Sequence, residues 1–278
     1  MSAAAPVVLI TGASSGLGHA VATQLLAGPS TVYVAALTED GMADLATAGA
    51  HTMTLDVRGD AAVTAAVARV VAEHGRIDVL INNAGYGQYG FIECVSIEEI
   101  ARQFDVNVLG SARCIQAVLP HMRRQRAGRI INISSVCGHI TMPGMGWYAA
   151  SKHAVRAMTE SLRQEVGAFG IHVVAIEPGS VATGFQAVAQ AALADAPCPD
   201  DYAALKAQAV ALHEQIARKA VGPASTVAAV LRAVAAPSPQ AVYRTTVDAR
   251  VAPLLQSVLG TRRFSNLLLR TFGQARRR

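Results

Sequence analysis

Tyr148-Ala149-Ala150-Ser151-Lys152 sets a phenol and an ammonium four residues apart. On a helix, residues at that interval share a face. A phenol ordinarily titrates near pH ~10. A fixed cation beside it favours the phenolate and pulls that value toward neutrality, which would make Tyr148 a general acid/base. The spacing alone is common enough to arise by chance, so its weight depends on the rest of the chain. Ser135 closes the apolar run Gly128–Ser135, thirteen residues before Tyr148, and offers a hydroxyl. Asn107 interrupts an otherwise apolar helical pattern (Ile100, Phe104, Val108, Ile115, Val118, Leu119, Met122) that opens on the capping box Ser96-Ile-Glu-Glu99. Asn is a mediocre helix former whose amide competes with the backbone. By itself, Asn107 reads as an exposed or locally bonded side chain.

A second group of residues is suited to phosphate. Pro6–Thr11 is a short apolar run, Gly12-Ala-Ser-Ser-Gly16-Leu-Gly18 follows, and an amphipathic helix begins there (Val21, Leu25, Leu26). Gly12 permits a tight turn, Gly16 lets the backbone approach a pyrophosphate, and Gly18 lets the helix pack on the strand. The free N–H groups of the helix then face the phosphates. About 20 residues beyond such glycines an acid would bond the ribose 2′-OH, or an Arg would meet a 2′-phosphate. Here Ala36 and Leu37 stand at that point, followed by Thr38-Glu39-Asp40. Neither selector is present, and the acids lean the choice to NAD over NADP.

The elements that must position these groups alternate throughout. Strands are expected at Thr31–Leu37, His51–Asp56, Ile77–Ile81, Gly128–Ser135, Ile171–Ile176 and Ala241–Thr246, with helices between them. That is the pattern of a doubly wound α/β parallel sheet of about seven strands, with helices on both faces. Asp56 ends a strand, as a turn or cap residue or as an adenine contact. Asn82-Asn83-Ala84-Gly85 makes a small-residue turn where such sheets bind ligands. Residues 184–220 break the rhythm and read as a helical lid over the strand ends. Val251, Leu254, Leu255, Val258 and Leu259 recur as an amphipathic helix.

Composition narrows the class. With 278 residues, 52% hydrophobic and 15% charged, the chain can bury a large core as one domain. Residues 6–183 are the expected cofactor and catalytic core, and residues 237–278 a basic extension. Arg244 to Arg278 holds eight Arg and one acid, Asp248, for a net +7. The whole chain carries +5, so its body is at −2. Met1–Pro6 lacks a basic segment ahead of an apolar run, so no leader is expected, and no run reaches the ~18 residues of a membrane span. Cys94, Cys114, Cys137 and Cys198 show no ligand spacing and are expected to be reduced thiols in a cytoplasm, with no metal site.

Over residues 6–246 the chain resembles the short-chain dehydrogenase/reductase family. The likeness rests on Thr11-Gly12-x3-Gly16-x-Gly18, Asp56, Asn82–Gly85, Asn107, Ser135, Tyr148-x3-Lys152, and Pro178-Gly179 with Thr183. The Ser135-to-Tyr148 interval and the C-terminal pattern also look like the branch holding 17β-hydroxysteroid and retinol dehydrogenases. The resemblance implies an NAD(P)-dependent oxidoreductase acting on a secondary alcohol or ketone. Its catalytic set would be Asn107, Ser135, Tyr148 and Lys152, with Asn107 linking Lys152 to solvent through its backbone or a water. The cofactor would lie along Gly12, Ser14, Ser15, Gly16, Leu17, Gly18, Leu37, Asp56, Val57, Asn83, Ala84, Gly85, Tyr148, Lys152, Pro178, Gly179, Val181 and Thr183. Substrate would meet Ser135, His139, Met142, Met145, Tyr148 and Phe185. Such a pocket would suit a steroid-like, retinoid-like or aromatic molecule.

The family also implies a homodimer or homotetramer. A non-catalytic dinucleotide sensor on the same fold is the alternative, though such proteins usually lose part of the Ser-Tyr-Lys set. The basic tail reads as a solvated end, with contact to an anionic membrane surface as its alternative. It has no aromatic-interleaved basic platform for nucleic acid.

Overall fold

The computed structural model describes residues 5–271. Seven parallel strands form one sheet: β1 (Val7–Thr11), β2 (Thr31–Ala36), β3 (His51–Thr54), β4 (Val79–Asn82), β5 (Gly128–Ile133), β6 (Ile171–Glu177) and β7 (Val242–Arg244), in the order β3-β2-β1-β4-β5-β6-β7. Strand residues alternate between faces, and both faces are buried. Leu9, Tyr33, Leu80, Ile130 and Val173 point one way, into a core closed by α3 (Asp60–His74), α5 (Ser111–Gln125) and α6 (Gly146–Val166). Val8, Ile10, Val34, Ile81, Ile131 and Val174 point the other way, toward α1 (Gly16–Leu26) and α9 (Ala224–Ala235). Continuous apolar runs such as Val7-Val-Leu-Ile suit strands covered on both sides.

The strand order reverses at β1, which pairs with β2 on one side and β4 on the other. Connections therefore leave in opposite directions there and open a crevice at the strands' C-terminal ends. A lid crosses that end. It consists of α7 (Gly184–Asp195) and α8 (Ala203–Arg218) and buries a third apolar cluster that includes Tyr89, Phe91, Tyr148 and Leu193. The last helix, α10 (Val247–Thr271), kinks at Gly260, and Phe264 anchors it in the same cluster. Arg276, Arg277 and Arg278 lie outside the described residues.

Two local departures from the sequence expectations matter. The helix expected to run from Ser96 to Met122 is α4 (Ile97–Phe104) and α5, separated by a π segment at Asp105–Gly110. The extra residue per turn re-aims Asn107 inward, and π segments gather at functional sites. The second departure concerns the cysteines. Cys94 and Cys198, expected as reduced thiols, form a disulfide with their Cα atoms 5.2 Å apart. A separation of 104 residues leaves no local signal, and only the lid folding back brings the pair together. Cys114 and Cys137 are free and buried.

The disulfide ties the segment after β4 to the α7–α8 connection, closing a long loop in the unfolded chain. Its removal is expected to cost roughly 2–4 kcal/mol. Guanidinium unfolding with and without a thiol reductant checks this. The midpoint of the wild-type protein should fall on reduction, and that of Cys198→Ser should not move.

Candidate active site

Tyr148 and Lys152 lie in the first turns of α6 and are both buried. A polar ladder in the dry interior sets that helix against the sheet. Asn82 Nδ2 donates to Asn132 Oδ1 across β4 and β5 (2.9 Å), and Asn132 Nδ2 donates to Thr159 Oγ1 of α6 (2.9 Å). At the mouth of the crevice, Asn107 makes the corresponding tie. Its Oδ1 accepts from the Tyr86 N–H (3.0 Å), and its Nδ2 donates to the Tyr86 carbonyl (2.9 Å) and to Ser151 Oγ (3.1 Å). Ser151 Oγ donates in turn to the Tyr148 carbonyl (2.7 Å). The awkward Asn is thus a clamp between the loop after β4 and α6. Its side chain reaches Ser151, next to Lys152, and does not line the crevice.

The Lys152 ammonium donates to the Ile133 carbonyl (2.9 Å) and lies 5.8 Å from the centre of the Tyr148 ring. Burial pulls its pKa down from 10.5 to about 8. Lys152 is the cation that the Tyr148-x3-Lys152 spacing sets beside this phenol. Burial, reinforced by the neighbouring Cys137, pushes the phenol upward, and the hydrogen bond with Ser135 only partly opposes this. Desolvation penalises the anionic form of a buried phenol. This favours the neutral phenol in the structure without ligand. Ser135 is held by its own turn, its Oγ accepting from the Cys137 N–H (3.1 Å). Phe185 and Tyr89 rings flank Tyr148 at 5.4 and 5.7 Å.

The glycine turn forms the other end. Gly12 has φ +68°, and a Cβ there would stand 2.7 Å from Ala84 Cα. Asn83 Nδ2 donates to the carbonyls of Thr11 (3.1 Å) and Gly12 (2.8 Å), while Thr11 Oγ1 accepts the N–H groups of Asn83 and Ala84. Gly18 faces this amide, where a Cβ would meet Asn83 Nδ2 at 2.4 Å, so its role is packing behind the crevice wall. Ser15 precedes α1 without capping it through its side chain. The first N–H groups of the helix thus receive no hydroxyl from their own N-cap. A Cβ on Gly16 would point at Thr183 Cβ, 3.7 Å away. The cradle between α1 and Thr183 thus fits a pyrophosphate.

A crevice of about 520 Å³ joins the two ends. Its walls bring together Gly12, Ser14, Ser15, Gly16, Leu17, Leu37, Asp56, Val57, Asn83, Ala84, Gly85, Ser135, Met142, Met145, Tyr148, Lys152, Pro178, Gly179, Val181, Thr183 and Phe185. Leu37 is 60% exposed there. Glu39 and Asp40 are exposed but are not part of the wall. His139, expected at the substrate, is turned away: its Nε2 meets Glu177 Oε2 at 2.9 Å. Glu177 is 1% exposed and also accepts from Arg244 Nε (3.2 Å). Burial raises its pKa, but His139 and Arg244 outweigh it and hold the carboxyl below its ordinary value.

Sequence reasoning missed several lining residues. Asp248 accepts the Ser180 N–H (2.9 Å), and Thr246 Oγ1 accepts that of Gly179 (3.0 Å), so the start of α10 shapes the Pro178-Gly179 turn. Arg58 chelates the Asp56 carboxylate at 2.6–3.0 Å and holds its pKa below the usual range. Tyr89 and His213 close the inner wall, their rings 5.4 Å apart. None of these carries a periodic or motif signal; Asp248 and His213 reach the crevice only because the chain folds back over it. Among the described residues, no group of three His, Cys, Asp or Glu gathers as metal ligands.

Residues 6–194 match the family described as short chain dehydrogenase. The chain belongs to the short-chain dehydrogenase/reductase family of oxidoreductases. It is 40% identical over 180 residues to a 3-ketodihydrosphingosine reductase of Bacteroides thetaiotaomicron, covering 64% of this chain and 65% of that protein. It is 39% identical to human 17-beta-hydroxysteroid dehydrogenase type 1, covering 64% of this chain and 58% of that one. Human retinol dehydrogenase 8 is 38% identical, with 72% and 67% covered. The chain thus spans about two thirds or less of the first two. Among solved structures, a Burkholderia phymatum short-chain dehydrogenase/reductase in complex with NAD superposes with a TM-score of 0.79 at 28% identity, covering 91% of this chain and 93% of that one.

The depressed Lys152 pKa predicts a pH signature. An unfolded lysine keeps its proton up to about 10.5, the folded one only to about 8. Between those limits the unfolded chain binds more protons, so this group's contribution to stability rises with pH, by up to ~1.4 kcal/mol per unit. Denaturant unfolding of wild type and Lys152→Met from pH 7.5 to 10 isolates it from other titrating groups. The stability difference should shift toward wild type as pH rises; a constant difference would contradict the burial of the ammonium.

Proposed function

We propose that this chain is an NAD(P)-dependent oxidoreductase interconverting a secondary alcohol and a ketone on an apolar small molecule. The observation that carries this reading is the meeting of Ser135, Tyr148 and Lys152 at one end of a crevice whose other end is the glycine cradle. The dinucleotide, when bound, supplies or accepts the hydride. Its pyrophosphate is assigned to Gly12, Ser14, Ser15, Gly16 and Leu17, and its adenine to Asp56 and Val57. Leu37 is assigned to the adenosine ribose, and Asn83, Ala84 and Gly85 to the central stretch. Pro178, Gly179, Val181 and Thr183 are assigned to the nicotinamide.

Tyr148 gives its proton to the carbonyl oxygen in reduction and recovers it from the alcohol in oxidation. Ser135 Oγ holds the same oxygen. Lys152 would hold the nicotinamide ribose, and Asn107 keeps α6 in place for both. NAD(H) is the proposed preference. Leu37 offers a 2′-phosphate no charge, and the nearby guanidinium of Arg58 is already neutralised by Asp56. Met142, Met145, Phe185, Val188 and Ile216 line the substrate end, which supports an apolar alcohol or ketone. The sphingoid, steroid and retinoid named in the relatives belong to that class. A homodimer or homotetramer completes the proposal.

The test combines NAD(H) and NADP(H) titrations with a panel of apolar ketones and alcohols. Tyr148→Phe should retain dinucleotide binding and lose turnover by roughly 10²–10⁴-fold. Tighter NADP(H) binding would overturn the preference alone. Binding of neither dinucleotide would overturn the reading.

A further inference from the structure

Helix α10 leaves an apolar stripe uncovered. Val247, Val251, Leu254 and Val258 follow at intervals of four, three and four residues, which lays them along one line of the helix. They are 75, 52, 64 and 74% exposed. The fold already uses the opposite face, where Ala249 is buried and Ala252 and Leu259 pack beneath the lid. A docked helix ordinarily turns a polar face outward. This one turns an apolar line outward, so its second face is unexplained by the packing of the chain on itself.

The charge along α10 is mostly of one sign. Between Val247 and Thr271 the sole acid is Asp248, whose carboxylate is engaged with the Ser180 N–H. Arg250 flanks the stripe, and Arg262, Arg263 and Arg270 are exposed farther along. Arg250 also lines a groove of about 690 Å³ between α9 and β7, together with Arg232 and Arg244. Arg244 is tied to Glu177, and Arg250 Nε donates to the Arg244 carbonyl (3.1 Å). Arg232 is exposed and meets no carboxylate among the described residues.

A second copy of this chain does not complement such a face. In a two-fold contact through the stripe, the one acid that the second copy's α10 brings is Asp248, already engaged with the Ser180 N–H. A bilayer with anionic headgroups answers both features. Valine and leucine side chains enter the acyl boundary, and guanidiniums meet phosphates in bidentate pairs. We propose that the outer face of α10, with the Arg232–Arg244–Arg250 groove beside it, docks the protein on an anionic phospholipid surface. Asp248, in the first turn of α10, lines the crevice, so docking brings the crevice rim to the bilayer. The consequence that an apolar substrate enters from the lipid rests on the proposed oxidoreductase reading; the docking does not.

Flotation of the full chain with phosphatidylglycerol/phosphatidylcholine vesicles, against phosphatidylcholine alone, tests it. Binding is expected on the anionic vesicles and should fall several-fold at high salt. Arg232→Glu and Arg250→Glu should each weaken it by roughly fivefold or more, the worth of one arginine at such a surface. Leu254→Glu with Val258→Glu should abolish it while leaving turnover of a soluble ketone, NAD(H) affinity and the melting temperature unchanged. Equal flotation of wild type and all variants would place the contact elsewhere and overturn the proposal. So would release of the protein by millimolar inorganic phosphate, which would make the groove a free-phosphate site. No flotation, with a dimer in light scattering that Leu254→Glu dissociates, would assign the stripe to a second copy and equally overturn it. Loss of flotation with dinucleotide binding intact tells against docking alone, and loss of dinucleotide binding tells against the proposed activity alone.

Discussion

The site depends on holding one helix, α6, to the sheet and to the loop after β4 with buried amides. A buried polar group without a partner costs ~1–3 kcal/mol, so the ladder from Asn82 through Asn132 to Thr159 admits one seat of α6 on β4 and β5. Asn107 fixes the same helix at its beginning through Ser151. Beside the Ser151 tie, Tyr148 and Lys152 face the crevice. Dispersion and area burial would tolerate small slides of a helix over an apolar sheet; amide pairs at 2.9 Å would not. The precision of the site therefore comes from polar contacts in the interior, and its stability from the apolar clusters around them.

Much of the architecture was legible in the sequence because it follows from repetition. Seven apolar runs alternate with helical periodicity, and a glycine turn follows the first of them. Parallel order and layering then follow from the handedness and burial rules for such units. Strand ends were legible to within a few residues: Leu37, Asp56 and Ser135 lie just outside strands expected to include them. The π segment was not legible, since Asn107 marks an irregularity without saying which kind. The disulfide was not legible either, because Cys94 and Cys198 meet through tertiary folding alone.

The crevice itself divides along the same line. Residues fixed to strand ends and the glycine turn could be placed from spacing, because a motif records a local backbone shape. Residues delivered by the lid and by α10 could not. His139 shows the limit most clearly. Its position between Ser135 and Tyr148 put it near the substrate in sequence, yet the turn after Ser135 aims it at buried Glu177. A carboxylate that is 1% exposed must find partners, and the His139 ring and the Arg244 guanidinium are within reach. That requirement outranks a place in the pocket.

The protonation of the pair follows from the same burial. A lysine near a phenol is commonly taken to produce phenolate, but the reasoning assumes that the cation keeps its charge. In this interior, desolvation acts on both groups at once, raising the phenol and lowering the amine to about 8. The stable arrangement without ligand is a neutral phenol beside an ammonium that is easily discharged, with Ser135 and the Ile133 carbonyl taking the polar ends. In the proposed reduction, such a neutral phenol is the group that gives its proton to the carbonyl oxygen.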